Sequence, residues 1–310
     1  MSTHSTPGST ILDEVTGEPL DGVDASTVPA AAVPAAEHEG PGPLRPRRRR
    51  AGSAPRARLT GALLGLVLPV LLLLVWHLLS TNGVYSPVQL PRPSAVLSAG
   101  WELLRSGDLW VHVGISTQRV VVGFLLGSAL GLALGALVGL SPWARILAGP
   151  TVGALRAVPS LAWVPLLLLW IGIGENSKVT LVAIGAFFPV YTTVSAALQH
   201  VDGQIVEAAR SFGIRGVRLF TTVQLPAVLP AVISGLRLAL AQAWLFLVAA
   251  ELLGSSMGLG FLLTDSQNNG RTDRLLLAIV LLAVLGKLTD ALIGIFERWT
   301  QHRWGSAPAT

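Results

Sequence analysis

The chain has no cysteine among its 310 residues, so disulfides and thiol chemistry are excluded and the redox compartment cannot be inferred. Charge is scarce as well. Asp, Glu, Lys and Arg make up 13% of the residues, against about a quarter in soluble domains. His77, His112, His200 and His302 stand alone, without metal-ligand spacing or the companions of a catalytic constellation, which argues against a membrane enzyme. No G-x-x-x-x-G-K-[ST] phosphate loop occurs; Gly286-Lys287 is followed by Leu288 and Thr289 inside an apolar run.

What the chain has instead is apolar length. Half of it is hydrophobic, 51%, and those residues are clumped. Residues 59–79 contain one ionisable side chain, His77, over a length that crosses the hydrocarbon core as a helix. Similar windows lie near 119–140, 178–198, 229–253 and 274–296, and a broken one, interrupted by Pro159 and Pro165, covers about 150–173. The expected fold is an all-α integral membrane protein with about six transmembrane helices in one domain over 59–300. No clear internal repeat and few buried ionisable groups weigh against a secondary transporter or channel.

Residues 1–44, rich in Ser, Thr, Pro, Ala, Gly and acids, have no apolar period and are expected to stay disordered. Seven arginines follow in 45–58. Beside a first span they read as a positive-inside flank that also suits anionic lipid, not nucleic acid. The segment is too long and too acidic at its start for a cleaved signal peptide. With the tail inside, six spans place both termini in the cytoplasm, the second ending in a short tail at 301–310. Arg145, Arg156, Arg210, Arg215, Arg218, Arg298 and Arg303 then all fall inside, whereas the outer connections 80–118, 174–177 and 254–273 carry no basic excess.

Within the spans, Gly123, Gly127, Gly131, Gly135 and Gly139 recur at every fourth position. Small residues at that spacing let helix backbones approach closely in lipid, so this ridge is read as a packing surface. Lys287 and Asp290 sit three apart and can pair on one helix face. Arg237, two turns into the fifth span, has two readings: a cation facing a translocation path, or a side chain snorkelling to the cytoplasmic interface. Glu251 ends that span. Trp143, Trp163, Trp170, Trp299 and Trp304 fall near predicted interfaces, where aromatic belts form.

The polar loop 199–228 carries helical punctuation. Asp202 is placed to cap a short helix, Ile205, Ala209 and Phe212 share one face with Val206 beside them, and Gly213 sits where a helix stops in the left-handed conformation. A second short stretch, 216–225, is expected to end at Pro226. Helices this short need a surface to lie on, bilayer or partner protein.

Glu207-Ala208-Ala209, Gly213 and Val223-Gln224-Leu225-Pro226 match the EAA signature of ABC importer permeases, EAA-x3-G-x9-I-x-LP, with Val223 in place of Ile. LPRPSAV at 90–96, SGDLWVHVGIS at 106–116, the run 155–179 and VLLAVLGKLTD at 280–290 extend the likeness over about 60–300. The chain resembles the nitrate, sulfonate and taurine branch of that family, most nearly its aliphatic sulfonate permeases. The resemblance implies a homodimer of permease subunits in the bacterial inner (plasma) membrane, forming the path for a small anion. A cytosolic ABC ATPase dimer would dock on the coupling loop through Glu207, Ala208, Ala209, Gly213, Leu225 and Pro226. An extracytoplasmic solute-binding protein would deliver the substrate. ATP and Mg²⁺ would sit on the ATPase, with no cofactor on this chain. Sulfonates lead among the implied substrates; taurine, nitrate, bicarbonate and thiamine precursors belong to permeases of the same pattern.

Overall fold

The computed structural model describes residues 55–304, with side chains from residue 65 to residue 300 except that of Ser160. The expected disordered tail therefore lies outside the described residues up to residue 54. Residues 55–58 already belong to the first helix, and 301–304 continue the last one. Compactness divides the chain after Thr60, and the unit from Gly61 onward carries the bundle.

All secondary structure among the described residues is helical. The order is α1 (Pro55–Thr81), α2 (Pro93–Ser106), α3 (Asp108–Leu140), α4 (Pro142–Ala157), α5 (Trp163–Ile171), α6 (Glu175–Gln199), α7 (Gly203–Ser211), α8 (Gly216–Leu219), α9 (Leu225–Leu252), α10 (Leu259–Asn268) and α11 (Thr272–Trp304). Among the described residues, four helical stretches are long and apolar enough to cross a bilayer: 108–140, 175–199, 216–252 and 272–300. On α1, Leu66 to Val75 are apolar and exposed, a surface that water would not tolerate and hydrocarbon does.

The glycine ridge of α3 lies along α6. A Cβ on Gly123 would stand 2.6 Å from Val182, on Gly131 2.8 Å from the Phe187 carbonyl, on Gly135 3.0 Å from the Tyr191 carbonyl and on Gly139 2.7 Å from Leu198. Both numbers rise together along this contact, so α3 and α6 are parallel. The chain must therefore travel back across the bundle between them. It does so in two pieces, α4 and α5, joined by a 3₁₀ turn at Ser160–Ala162. The expected span at 150–173 is thus a crossing made of two short helices. The proline at 159 has no N–H and holds Val158 extended, at φ −68° and ψ 125°. Pro165 falls in the first turn of α5, where a missing N–H costs nothing.

α9 returns antiparallel to α6: Gly185 packs under the Phe246 ring and Gly235 against Thr193. Ala186, Val190, Val194 and Leu198 of α6 close a core with Val228, Val232 and Ala239 of α9. α11 runs antiparallel to α9, with the Trp244 indole donating to Thr289 Oγ1 at 3.0 Å. α2 lies across the end of the bundle, burying Leu103 with Leu262 and Ala278.

Two helical stretches begin well before their apolar windows. α3 starts eleven residues before 119, because Gly107, in the left-handed region at φ 85°, ends α2 and lets a new helix begin at Asp108. The expected break at Pro226 is absent. Phe220–Gln224 form a π turn that joins α8 to α9, with Leu225 N–H donating to the Phe220 carbonyl. The wider turn shifts the backbone register ahead of Pro226, while the hydroxyls of Thr221 and Thr222 bond back to the carbonyls of Val217 and Arg218. The helix therefore passes through the proline instead of stopping there.

Candidate functional site

At the end of the bundle where α3 and α6 finish and α9 begins, the loop 199–228 forms a rigid elbow. Asp202 Oδ1 accepts the Gln204 N–H at 2.9 Å and caps α7. At the other end, Gly213 N–H donates to the Arg210 carbonyl at 2.9 Å and Ile214 N–H to the Ala209 carbonyl at 3.1 Å. This bond pair is a Schellman closure, and it needs the left-handed φ of 77° that Gly213 supplies.

The expected apolar face of α7 does not bury as one stripe. Ala209 is buried at 8%, but Ile205 is 52% and Phe212 85% exposed. The bundle takes only the edge of the stripe, Val206 and Ala209, and nine residues of helix offer it no more. Ile205, Ala208 and Phe212 point outward, as does Val217 beyond the elbow, and the Glu207 carboxylate meets no partner among the described residues. Leu219 is buried, and the π turn carries the elbow directly into α9. Leu225 and Pro226 are the first residues of that helix. A load placed on α7 and α8 therefore acts on a continuous helix that runs the depth of the bundle.

At the opposite end, α3, α6 and α9 meet in an ion network that no local motif announces. Arg119 is 4% exposed and Glu251 1%. Arg119 Nη1 donates to Glu251 Oε1 at 2.7 Å and to the Met257 carbonyl at 2.8 Å, while its Nε donates to Glu175 Oε2 at 2.7 Å. Lys178 Nζ reaches Glu175 Oε1 at 3.1 Å. Ser116 Oγ donates to Glu251 at 2.8 Å and accepts the Leu259 N–H at 2.8 Å; Gly260 N–H donates to Glu251 Oε2 at 2.7 Å. Glu251 is thus sealed under the turn 255–260, and Cβ atoms on Gly258 or Gly260 would collide with it. His112 Nδ1 accepts the Gly258 N–H at 3.1 Å and completes the fold of that turn. A cavity of about 310 Å³ opens beside Arg119 and Glu175. Opposite charges at matching depth in separate spans were the sequence signal for this network; partners separated by 56 and 132 positions hid the pairing.

Arg237 is not a lone cation. Its Nε and Nη2 grip Asp290 at 2.9 and 3.0 Å, and Nη1 reaches Glu297 at 3.2 Å. Lys287 does pair with Asp290, at 3.6 Å, but as a minor partner beside the Arg237 fork. Among the described residues no cluster of His, Cys, Asp or Glu could hold a metal ion.

The binding-protein-dependent transport system inner membrane component family matches residues 127–302. A Bacillus subtilis protein named as an aliphatic sulfonates transport permease, SsuC, is 41% identical over 77% of this chain and 86% of its own length. The Escherichia coli protein of the same name is 42% identical over 77% of this chain and 91% of its own. Among solved structures, inward-facing conformations of the MetNI methionine ABC transporter align with a TM-score of 0.54 at 22% identity, covering 64% of this chain and 96% of that one.

Proposed function

This chain belongs to the family of binding-protein-dependent transport system inner membrane components, the permease subunits of ABC importers, and from that premise we propose that it forms the membrane path for aliphatic sulfonates. Two copies enclose the path. A dimeric cytosolic ATPase binds ATP and Mg²⁺ and seats on α7 and α8, and an extracytoplasmic solute-binding protein delivers the anion at the far end. Both termini lie in the cytoplasm of a bacterial cell, with the chain in the inner membrane. Charge placement supports that orientation, because Arg145, Arg210, Arg215 and Arg218 all lie at the elbow end.

One observation carries the coupling part of this reading. The outward face of α7, with Glu207, Ala208 and the exposed Phe212, is built on a closed elbow that continues without a break into α9. A socket of this form converts closure of a partner into tilt of a helix, and so biases the bundle between two access states. The sulfonate assignment is supported by the two relatives at 41% and 42% identity, whose names specify that substrate.

The test is reconstitution. Vesicles holding this chain, its ATPase and its binding protein should accumulate ethanesulfonate only when ATP is supplied to the ATPase. Accumulation against the gradient by vesicles that hold this chain alone would overturn the reading, as would labelling of α7 from outside intact cells.

A further inference from the structure

The ion network at the end of the bundle away from the elbow has an asymmetry that a purely structural clamp does not require. Two buried cations converge on one exposed carboxylate: the side chains of Arg119 and Lys178 are 5% and 8% exposed, and that of Glu175 is 60% exposed. Glu251, fully enclosed, already cancels one of the two positive charges. Glu175 cancels the other from the open side, where the cavity of about 310 Å³ lies.

We propose that Arg119 and Lys178 form a subsite for the head group of a sulfonate monoanion, and that Glu175 is an internal stand-in for that head group, displaced when the solute arrives. The proposal rests on the reading of the chain as a sulfonate permease.

Charge and donor count both favour the exchange. With Glu175 swung out, Arg119, Lys178 and Glu251 leave one net positive charge, which a monoanion neutralises and a dianion overfills. Three donors now crowd onto two carboxylate oxygens: Arg119 Nε takes Oε2, while Arg119 Nη2 and Lys178 Nζ share Oε1. A sulfonate offers three oxygens, one for each donor, in charge-assisted bonds of the strong class. The cavity wall suits the rest of such a molecule. Gln118 and Ser256 lie at its polar side, and Ile115, Val122 and Val179 supply an apolar lining for a short alkyl tail. Glu175 is the partner that can leave, because its side chain stands in the open and the sulfonate takes over its three bonds, whereas Glu251 is enclosed and tied to a guanidinium, a hydroxyl and a backbone N–H. Arg119 therefore stays fixed while its outer partner changes.

The experiment titrates butanesulfonate into the full-length chain in lipid nanodiscs by calorimetry, comparing the wild type with Glu175→Gln and Glu175→Ala. Removing the internal competitor should tighten binding by about tenfold or more in both variants, and the gain should vanish in Glu175→Gln combined with Lys178→Met. n-Butanol, which has the tail and no charge, should show no such gain. If neither variant tightens binding, or if n-butanol gains equally, the subsite is refuted. Should both variants prove misfolded, the wild type still decides: saturating butanesulfonate should raise carbodiimide modification of Glu175, and unchanged modification overturns the proposal. Failure of the substrate reading looks different. In that case the variants bind butanesulfonate more tightly, yet the assembled transporter imports none.

Discussion

Gly127 of α3 lies directly against the Ala183 carbonyl of α6, leaving no room for even a methyl group between the two backbones. The contact is the tightest of the five made by the ridge, and backbone faces backbone there, so no side chain can yield. Gly127→Ala should therefore lower the midpoint of thermal unfolding in detergent, at a cost of about 1–3 kcal/mol by overpacking. Gly286→Ala is the control. Nothing stands within 4 Å of its Cβ position, so the change should be neutral or stabilising by about 0.5–1 kcal/mol through helix propensity. Equal destabilisation by both would show that α3 and α6 are not held at backbone contact.

Coupling should fail at the elbow before the bundle does. Gly213 has a left-handed backbone with nothing within 4 Å of its Cβ position, so Gly213→Asp adds backbone strain of about 1–2 kcal/mol and a charge, without a clash. Glu207→Arg reverses an exposed charge on the same surface. Both variants should insert and unfold near the wild-type temperature, yet lose ATP-driven uptake and co-purify with less ATPase. Normal uptake and normal ATPase recovery in both would remove the elbow from the coupling mechanism.

Arg237 is held by Asp290 in a two-bond fork and by Glu297 at 3.2 Å. As a clamp between α9 and α11, it predicts a specific pattern of mutants. Arg237→Ala should lower the midpoint of thermal unfolding only slightly, because the side chains of Arg237 and Asp290 are 40% and 34% exposed and an exposed ion pair contributes little to stability. The double exchange of Arg237→Asp with Asp290→Arg should recover part of that loss. A double exchange no more stable than the worse single variant would point to a role for the cation other than holding the two helices together.

Parts of this molecule were legible in its sequence for physical reasons, and parts were not. The period of four in 123–139 marks a close-packing surface on α3, but it cannot name α6 as the partner, since helix neighbours are set by the whole topology. Asp202 and Gly213 act through bonds to residues within four positions, so the cap and the left-handed turn of the elbow follow from local chemistry. Prolines are an uneven guide. Pro159 does end α4, whereas Pro226 is absorbed by a π turn whose formation depends on Thr221, Thr222 and the packing behind them. The network of Arg119, Glu175 and Glu251 is the least readable feature. Its members come from three helices, and each alone looks like a charge at the edge of an apolar run.

α2 is fastened to the end of the bundle by charge, and that fastening should respond to acid. Glu102 lies between Arg271 and Arg274, at 3.1 and 2.8 Å. The hydrogen bond from Arg271 is the largest influence on its carboxyl and the charge of Arg274 the next; together they hold it below its ordinary value of 4.5. A carboxyl whose folded value is depressed stabilises the fold above its unfolded value, and that contribution disappears as the pH falls through the lower, folded one. Amide exchange across 93–106 should accordingly stay slow from neutral pH down to the ordinary carboxylate range, after correction for intrinsic rates, and rise below it. Glu102→Gln should show the faster exchange already at neutral pH, with little further change on acidification. If the wild type and Glu102→Gln share one pH profile, the apolar contact of Leu103 with Leu262 and Ala278 fastens this helix, and the arginine pair does not.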